Sequence, residues 1–376
     1  MNVLIISPIM YPCSTGGVQI FNYNFSRGLA KKGVKVHILT PCKYDFRTRN
    51  ISTMKLSKTI FLHPTLSICF HVLLTVIKLR KTMDIIHIPY TSNSFLAYPI
   101  LIARKLFKIP PYVIVIHGGG MHPWKPKIIH KRFFQHADEI IAVSKIIKIE
   151  YEKRCGRKIL VIPPLIPFRE SKNLQEKLRT KYGFDGYDLI VIFVGAVKKI
   201  KGCDILLDAF LDLGTEYLEK YHLKLLYVGD GPMKAPLMKR VYEKGLNKYV
   251  RFLGNIRYEK ISDLYRMSDI YVIPSLFEGT PIALLEAMFN GLSIIGTDTA
   301  GISNIISSDR NGLLFQKEDI VDLKEKMKKL VEDKELRMRL GRNAKEDYVK
   351  THNFDNMICD HIKLYKTIIQ ERERSG

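Results

Sequence analysis

The stretch "DIYVIPSLFEGTPIALLEAM", residues 269–288, contains the unit from which most of the chain is built. Its first seven residues form an apolar run that predicts a strand buried on both faces, and its last residues have helical spacing. Thr280 can cap that helix and Pro281 can be its first residue, a position where a missing N–H costs nothing. The sequence therefore predicts a strand, a loop and a helix, with Glu278 on the loop and Glu286 inside the helix.

The same alternation of short apolar runs and helix-period segments recurs along the chain. The predicted strands are 3–8, 34–40, 84–89, 112–117, 138–144 and 158–163, followed by 189–195, 223–229, 250–254, 269–275 and 292–297. Such alternation predicts parallel, doubly wound sheets. The segment 163–188, rich in proline and charge, interrupts the pattern and is the expected linker. The predicted fold class is α/β, with two tandem Rossmann-like domains facing across a cleft that binds ligands at the strands' carboxyl ends.

Length and composition agree with two folded domains. The chain has 376 residues, too many for one ordinary core, and 46% of them are hydrophobic, as is typical of globular proteins. Its six cysteines have no paired spacing, so we expect neither a disulfide framework nor a zinc knuckle, and a cytoplasmic location. The opening "MNVLIISPIM" has no basic region and begins as a strand, so we expect no signal peptide.

The positive charge is concentrated in the first half of the chain. The net charge is +23; residues 1–170 hold 26 Lys and Arg against 7 Asp and Glu, whereas residues 171–376 hold 34 against 30. Such a bias favours anionic partners: nucleic acid, phosphorylated substrates or an anionic membrane surface. A generally basic proteome is the alternative explanation.

The apolar run at residues 59–77 is long enough to be compared with a membrane span. His63, Pro64 and His71 interrupt it, and the residues after Pro64 have helical spacing, so we interpret it as a packed or interfacial helix. The flanks from residue 47 to residue 81 hold Lys and Arg but no acid. Two interpretations remain open: a helix lying on anionic lipid, or a core helix with a solvated basic margin.

The loop and helix at residues 274–288 have the chemistry of a phosphate and sugar site. The unpaired N–H groups and positive dipole end of the helix that follows Thr280 favour a phosphate. A carboxylate accepts two donors at once, so Glu278 and Glu286 suit sugar hydroxyls beside that phosphate. Glutamates near a helix edge are also often merely solvated, and these residues alone leave both interpretations open.

The loop "VGAVKKIKG", residues 194–202, follows the first predicted strand of the second half. Gly195 ends that strand, and Lys198, Lys199 and Lys201 lead into the next helix. Lysines beside a helix N-terminus can bind a diphosphate. The sequence therefore predicts a second anion-binding element in this half.

Two loops of the first half carry glycines beside polar groups. In "STGGVQ", residues 14–19, Gly16 and Gly17 let backbone approach a charged group, but the spacing of a dinucleotide-binding motif is absent. In "IHGGGMH", residues 116–122, three glycines clear space after His117 at a strand end. A lone histidine in that position is more often structural. Neither a D-x-D motif nor a His and Cys cluster occurs, so we expect no metal site.

Together these motifs resemble family-4 glycosyltransferases of the B fold, retaining enzymes that move a sugar from a nucleotide diphosphate sugar to an acceptor. The resemblance covers the chain from Asn2 to Ile369. It implies that Glu278 contacts the donor sugar, that Glu286 binds the ribose hydroxyls, and that Lys201, in the family's Lys-Gly motif, binds the diphosphate. The loops "GDGP" and "GNI" and the segment "RNGLLF" also have counterparts in the family.

The resemblance further places His117 near the sugar C6 hydroxyl and the reacting carbon. It implies three catalytic residues, His117, Lys201 and Glu278. The implied donor-binding set is Gly16, Gly17, Gly195, Lys198, Lys199, Lys201, Gly229, Asn255, Ile256, Glu278, Gly279, Thr280, Pro281, Ile282 and Glu286.

The chain departs from the family pattern at two positions. Ala196 stands where many members have an arginine after the strand-end glycine, so half of the usual diphosphate clamp is missing, and Lys198 or Lys199 is the candidate replacement. Asn304 stands where a glutamate often follows "GTDTAG". Both departures bear on donor affinity and donor choice and leave the fold prediction unchanged.

The resemblance implies a division of labour between domains. We expect an acceptor-binding domain at 1–168, a nucleotide-sugar-binding domain at 169–350, and a C-terminal helix at 351–376 that packs back on the first domain. We expect no cofactor and no metal, with the nucleotide diphosphate sugar as co-substrate. The expected acceptor is a sugar, a lipid-linked glycan or a polysaccharide, met in the cytoplasm at the inner face of the cell membrane.

Two other functions fit part of these observations. A nucleotide-sugar epimerase can use the same paired domains and donor groups, and product analysis with and without acceptor would separate the two. A basic nucleic-acid-binding protein would explain the charge but not the glutamates, and no nucleic-acid recognition motif is present. We therefore expect no nucleic-acid partner.

Overall fold

The protein, represented here by a computed structural model, divides into two compact units. Residues 1–7, 10–11, 16–41, 48–56, 64–91, 94–118, 128–168, 170–279 and 281–374 are described. The first unit comprises Met1–Ile166 together with Asn353–Gly376, and the second comprises Pro167–His352.

The first unit contains a seven-stranded parallel sheet. Its strands are β1 (Asn2–Ile6), β2 (Lys35–Thr40), β3 (Ile51–Lys55), β4 (Ile85–Tyr90), β5 (Tyr112–Ile116), β6 (Glu139–Ala142) and β7 (Leu160–Val161). Their order is β3-β2-β1-β4-β5-β6-β7. The central strand β1 aligns Ile5 with Ile38 on one side and with His87 on the other. The direction of winding reverses between β1 and β4, which defines the topological switch point of this sheet.

Within the described part of this unit, five helices lie between the strands. They are α1 (Gly17–Lys31), α2 (Pro64–Leu79), α3 (Ala97–Leu106), α4 (Ile128–Gln135) and α5 (Lys145–Cys155), with a short 3-10 turn at Ser94–Leu96. α2 begins at Pro64, where the sequence predicts a helix. Among the described residues, no helix combines the length and the apolar character that a membrane crossing needs.

The second unit repeats the plan with six parallel strands. They are β8 (Leu189–Val194), β9 (Leu223–Val228), β10 (Val250–Phe252), β11 (Ile270–Ile273), β12 (Ser293–Thr297) and β13 (Leu313–Phe315), in the order β10-β9-β8-β11-β12-β13. The switch point of this sheet lies between β8 and β11. The helices are α6 (Gln175–Lys181), α7 (Cys203–Leu211), α8 (Thr215–Lys220), α9 (Lys234–Glu243), α10 (Tyr258–Met267), α11 (Ile282–Asn290), α12 (Ala300–Ser303), α13 (Ile320–Glu332) and α14 (Lys334–Thr351), with a 3-10 turn at Lys199–Lys201.

Two apolar layers cover the faces of the second sheet. Along β8, Val191 and Phe193 point into one layer and Ile190 and Ile192 into the other. Because both faces of a parallel sheet are covered by helices, its strands are apolar at every position rather than at alternate ones. This burial explains why the strand could be identified from a continuous apolar run.

The last helix, α15 (Phe354–Arg374), belongs to the first unit and packs against α1. Tyr365 forms a hydrogen bond with His87 on β4, at 2.5 Å between Oη and Nδ1. Arg372 donates to the Asp138 carboxylate at 2.6 Å. The chain thus ends on the unit with which it began.

The predicted fold class of two doubly wound, parallel-sheet domains is confirmed. Two strands, β3 and β13, were missed. β3 is an edge strand whose residues are mostly exposed, and β13 is a three-residue edge strand, so neither has the continuous apolar run of a central strand. The helix predicted from Pro281 begins one residue later, at Ile282.

Candidate active site

The loops after β8 and β11 lie side by side at the switch point of the second sheet. The Leu276 N–H donates to the Ile200 carbonyl at 3.0 Å. Gly202 has a φ of 62°, and a Cβ on it would lie 1.9 Å from the Pro274 carbonyl oxygen. A side chain at this position is therefore excluded both by backbone conformation and by space, and the glycine permits the two loops to touch.

Lys201 and Glu278, one from each loop, form an ion pair. The Lys201 ammonium lies 2.6 Å from Oε1 of Glu278, and the side chains are 29% and 11% exposed. Ser275 donates a second hydrogen bond to the same oxygen at 2.7 Å. The lysine is therefore held at the carboxyl end of β8 while its side chain remains partly exposed.

Glu286 lies in the second turn of α11 and is almost fully buried, with 8% of its surface exposed. Burial raises the pKa of its carboxyl to about 8, and the hydrogen bond from Tyr265 acts in the opposite direction. The Tyr265 hydroxyl lies 3.1 Å from Oε2. Glu286 is thus a buried acid that mostly keeps its proton at neutral pH and that additional hydrogen-bond donors would stabilise in its charged form.

Three glycine-containing loops interlock through their backbones beside this pair. A Cβ on Gly229, after β9, would lie 1.9 Å from the Gly195 carbonyl oxygen, after β8. The Gly229 N–H donates to the carbonyl of Gly254, after β10, at 2.8 Å. The predicted residues Gly195 and Gly229, and Asn255 next to Gly254, are therefore brought together at one edge of the sheet.

The short helix α12 packs closely against the backbone of Glu278. A Cβ on Gly301, in α12, would lie 2.2 Å from the Glu278 carbonyl oxygen. From Glu278 the chain leads through Gly279 and Pro281 to Ile282, the first residue of α11. Thr280 lies outside the described residues, so its predicted capping role stays a prediction.

The remaining predicted donor residues of this unit differ in their surroundings. Lys198 and Lys199 are exposed, as is Ala196, and no ion pair of either lysine is found in the described part of the chain. Asn255 is exposed, whereas Ile256 packs against the apolar layer beneath. Across the described ranges, no group of three His, Cys, Asp or Glu residues could hold a metal ion.

In the first unit, the predicted residues lie around the start of α1. Gly16 occupies the N-cap and Gly17 the first helical position. His117 follows β5, and its ring lies 5.0 Å from that of Phe21 in α1. Burial, together with the nearby His361, lowers the pKa of His117 to about 3, and no described group bonds to its Nε2. The imidazole is neutral, with one ring nitrogen unused.

Sequence reasoning missed two groups that contact the glutamates. Ser275 lies three residues before Glu278 in the quoted stretch, so its position next to the carboxylate was accessible from the loop sequence. Tyr265 comes from α10, and nothing in the sequence links it to Glu286. Tertiary packing alone brings that hydroxyl to the carboxylate.

This arrangement of two Rossmann-like sheets, with a lysine and two glutamates at the switch point of the second, agrees with two family profiles. Residues 15–169 match "Glycosyltransferase Family 4" and residues 175–347 match "Glycosyl transferases group 1". The chain belongs to glycosyltransferase family 4, with the GT-B type of fold.

Relatives and solved structures match nearly the whole chain. N-acetyl-alpha-D-glucosaminyl L-malate synthase of Bacillus anthracis is 25% identical over 96% of this chain and 96% of its own. O-antigen chain mannosyltransferase C of Escherichia coli is 24% identical over 99% of this chain and 100% of its own. The crystal structure of Anabaena HepE in complex with UDP and glucose superimposes with a TM-score of 0.79 at 18% identity, covering 98% of this chain and 100% of HepE. None of these three proteins is named as an epimerase, and the matches do not favour the epimerase alternative.

Proposed function

We propose that the protein transfers a sugar from a nucleotide diphosphate sugar to an acceptor hydroxyl, with retention of anomeric configuration and without a metal ion. The observation that carries this proposal is the Lys201–Glu278 ion pair at the switch point of the second sheet, with Glu286 in the following helix. Ligands of doubly wound sheets bind at such points. HepE, which has the same fold, has been crystallised with UDP and glucose, and this supports a nucleotide-sugar donor.

The residues of the second unit suit the parts of such a donor. Lys201 and the N-terminal amides of α11 would bind the diphosphate, because both are positive and aimed at one sheet edge. Glu286 would accept hydrogen bonds from the two ribose hydroxyls, and Glu278 from the donor sugar. Lys198 or Lys199 would supply the second cation in place of the arginine absent at Ala196. In the first unit, His117 keeps the role near the sugar that the resemblance predicts, and Gly16 and Gly17 keep their predicted role in donor binding.

The reaction breaks the bond between the anomeric carbon and the diphosphate oxygen. The acceptor oxygen forms its bond to that carbon on the same face, and the leaving phosphate takes the acceptor proton, so no protein nucleophile is required. Negative charge grows on the leaving oxygen as the bond breaks. Lys201 and the α11 amides would stabilise that charge more in the transition state than in the ground state, which is the condition for catalysis.

The acceptor is proposed by class. The O-antigen mannosyltransferase acts in glycan synthesis by its name, and it matches this chain from end to end. We therefore propose a role in polysaccharide, glycolipid or lipid-linked glycan synthesis, with a sugar hydroxyl as acceptor.

Product analysis tests this proposal directly. The purified protein is incubated with a sugar nucleotide, with and without acceptor, and products are identified by NMR. The proposal predicts that nucleoside diphosphate is released only when acceptor is present and that the product keeps the donor's anomeric configuration. It also predicts that adding EDTA does not change the rate of transfer. An isomerised sugar nucleotide formed without acceptor would identify an epimerase instead, and an inverted product would overturn the retaining mechanism.

A further inference from the structure

Two helices of the first unit expose large apolar side chains on their outer surfaces. On α2 these are Leu66, Phe70 and Leu74, at 60%, 38% and 47% exposure, and on α3 they are Tyr98, Ile102 and Leu106, at 41%, 44% and 64%. Within each helix the three residues are four positions apart, so they form one stripe. Single exposed apolar residues are ordinary, whereas two stripes on one surface mark an interaction site.

The two stripes belong to one surface because α2 and α3 are packed neighbours. Cys69 in α2 donates a hydrogen bond to the carbonyl of Phe95, in the 3-10 turn that leads into α3, at 3.5 Å. After the last turns, the Arg80 guanidinium lies over the Phe107 ring, 5.4 Å from its centroid. Crossovers between parallel strands are almost always right-handed. In this strand order, the connections from β3 to β4 and from β4 to β5 run in the same direction, so α2 and α3 lie on the same side of the sheet. We call the six exposed residues, with the 37% exposed Phe107, the α2–α3 face.

The opposite side of α2 is fully packed. Val72 and Val76 have at most 1% of their surface exposed. The helix is therefore held in the fold by one stripe while it presents the other to solvent. Of the two interpretations that the sequence left open for this segment, neither is sufficient alone, since α2 is a packed helix with an exposed apolar stripe.

Basic side chains border the α2–α3 face where both helices end. Lys78 and Lys81 follow the α2 stripe, and Lys105 and Lys108 follow the α3 stripe; all four are exposed, and none forms an ion pair within the described ranges. Asp84 is the only acidic residue between residues 47 and 137, and it binds the N-terminus of the chain. The surface combines apolar side chains with uncompensated positive charge.

We propose that the α2–α3 face docks onto an anionic lipid surface. Apolar side chains can enter the boundary between headgroups and acyl chains while lysines bind the anionic headgroups. A second copy of the chain would bring four lysines against four lysines without an acidic partner on the face. A nucleic acid would use the lysines but leave the apolar stripes in water. This inference goes beyond the proposed transfer reaction and does not depend on it.

The test is vesicle co-sedimentation of the full chain without donor or acceptor. Vesicles of phosphatidylcholine alone are compared with vesicles that also contain phosphatidylglycerol. One variant removes charge, Lys105→Gln with Lys108→Gln, and one removes apolar surface, Leu66→Ser with Ile102→Ser and Leu106→Ser. The matched controls lie in the second unit: Lys177→Gln with Lys244→Gln, and Val321→Ser with Met338→Ser and Val349→Ser, all of them exposed.

The wild type is expected to bind the anionic vesicles and to release them as salt increases. The charge variant should lose binding by about 25-fold, since one lysine near such a surface contributes roughly fivefold. The serine variant should lose binding as well, and both controls should bind as the wild type does. The proposal would be overturned if the wild type bound neutral and anionic vesicles equally well or bound neither. It would also be overturned if the control variants lost as much vesicle binding as the test variants do. A wild-type dimer, formed without lipid, that the serine variant dissociates would overturn it too, because the occupant would then be a second copy.

Discussion

At the scale of single residues, the proposed transfer depends most on Lys201. Its ammonium is already positioned by Glu278, whose carboxylate Ser275 holds with a second hydrogen bond, so little ordering would be needed for an anionic donor to bind. Lys201→Ala should lower kcat by roughly 10²-fold, the loss typical when one preorganised donor is removed. Steady-state kinetics measures this, with Lys244→Ala as a matched exposed-lysine control. Turnover equal to that of the wild type would show that Lys201 does not act on the leaving group.

Glu286 is expected to make donor binding depend on pH. Its raised pKa of about 8 in the free protein falls if ribose hydroxyls donate to the carboxylate, so binding releases a proton. Donor affinity should therefore rise as pH increases from 6 toward about 8 and then level off, by up to about tenfold per unit. Calorimetric titration in two buffers of different ionisation enthalpy measures the released proton. Glu286→Gln should bind donor more weakly and show no such release; an unchanged pH profile in that variant contradicts the assignment.

How much of the site was predictable also differs by residue. Lys201, Glu278 and Glu286 follow strands in recognisable local patterns, so chain order alone placed them at the sheet's carboxyl edge. The direct Lys201–Glu278 contact was not predicted, because it depends on the close approach that Gly202 permits. The burial of Glu286 and its bond to Tyr265 come from helix packing, which has no signature in the sequence.

At the scale of elements, the packing of α15 against α1 depends on Gly28. Glycine inside a helix ordinarily costs about 1 kcal/mol relative to alanine. Here a Cβ on Gly28 would lie 2.6 Å from the buried Ile358 side chain and 2.9 Å from Phe354. Gly28→Ala should therefore lower the free energy of unfolding, by about 1–3 kcal/mol as in other overpacked cores.

Thermal or urea unfolding measures this change. Adding Ile358→Ala should cost less in the Gly28→Ala background than in the wild type, because it removes the atoms that clash. A Gly28→Ala variant that is more stable than the wild type would contradict the close packing of the two helices.

The strands show why some elements were predictable and others were not. β8 and β11 are central, apolar on both faces and flanked by glycine or proline, so their sequence patterns were decisive. β3, "ISTMK", lies at a sheet edge with an exposed, largely polar surface. Its extended structure comes from pairing with β2, and such pairing is invisible to a local apolar pattern.

At the scale of the whole molecule, a layer of buried histidines should make the protein sensitive to acid. The rings of His87 and His361 both pack against Phe25, with their centroids within 5 Å of its ring centroid and 6.5 Å from each other. Burial lowers the pKa of His361 to about 4 and that of His117 to about 3, and it places that of His87 well below its usual value. Between these lowered pKa values and about pH 6.5, the unfolded chain binds more protons than the folded chain does. The free energy of unfolding therefore falls as pH decreases through this range.

Each such histidine contributes a slope of about 1.4 kcal/mol per pH unit below pH 6.5. His361→Gln removes one of these protonation sites, so its stability should fall less steeply between pH 6.5 and pH 4.5. Urea unfolding at several pH values measures the slope, and His136→Gln, at an exposed position, is the control. Parallel curves for the wild type and His361→Gln would show that His361 is not buried in its neutral form.

The most direct measurement is a thermal-shift panel of uridine, guanosine and adenosine diphosphate sugars with the wild type and with Lys201→Ala. A ligand bound only by the folded protein raises the melting temperature in proportion to ln(1 + [L]/Kd). We predict that the sugar nucleotides of one base stabilise the wild type and that the lysine variant loses most of this shift. If no sugar nucleotide raises the melting temperature of the wild type, or if the variant responds equally, the second sheet's switch point is not a donor site.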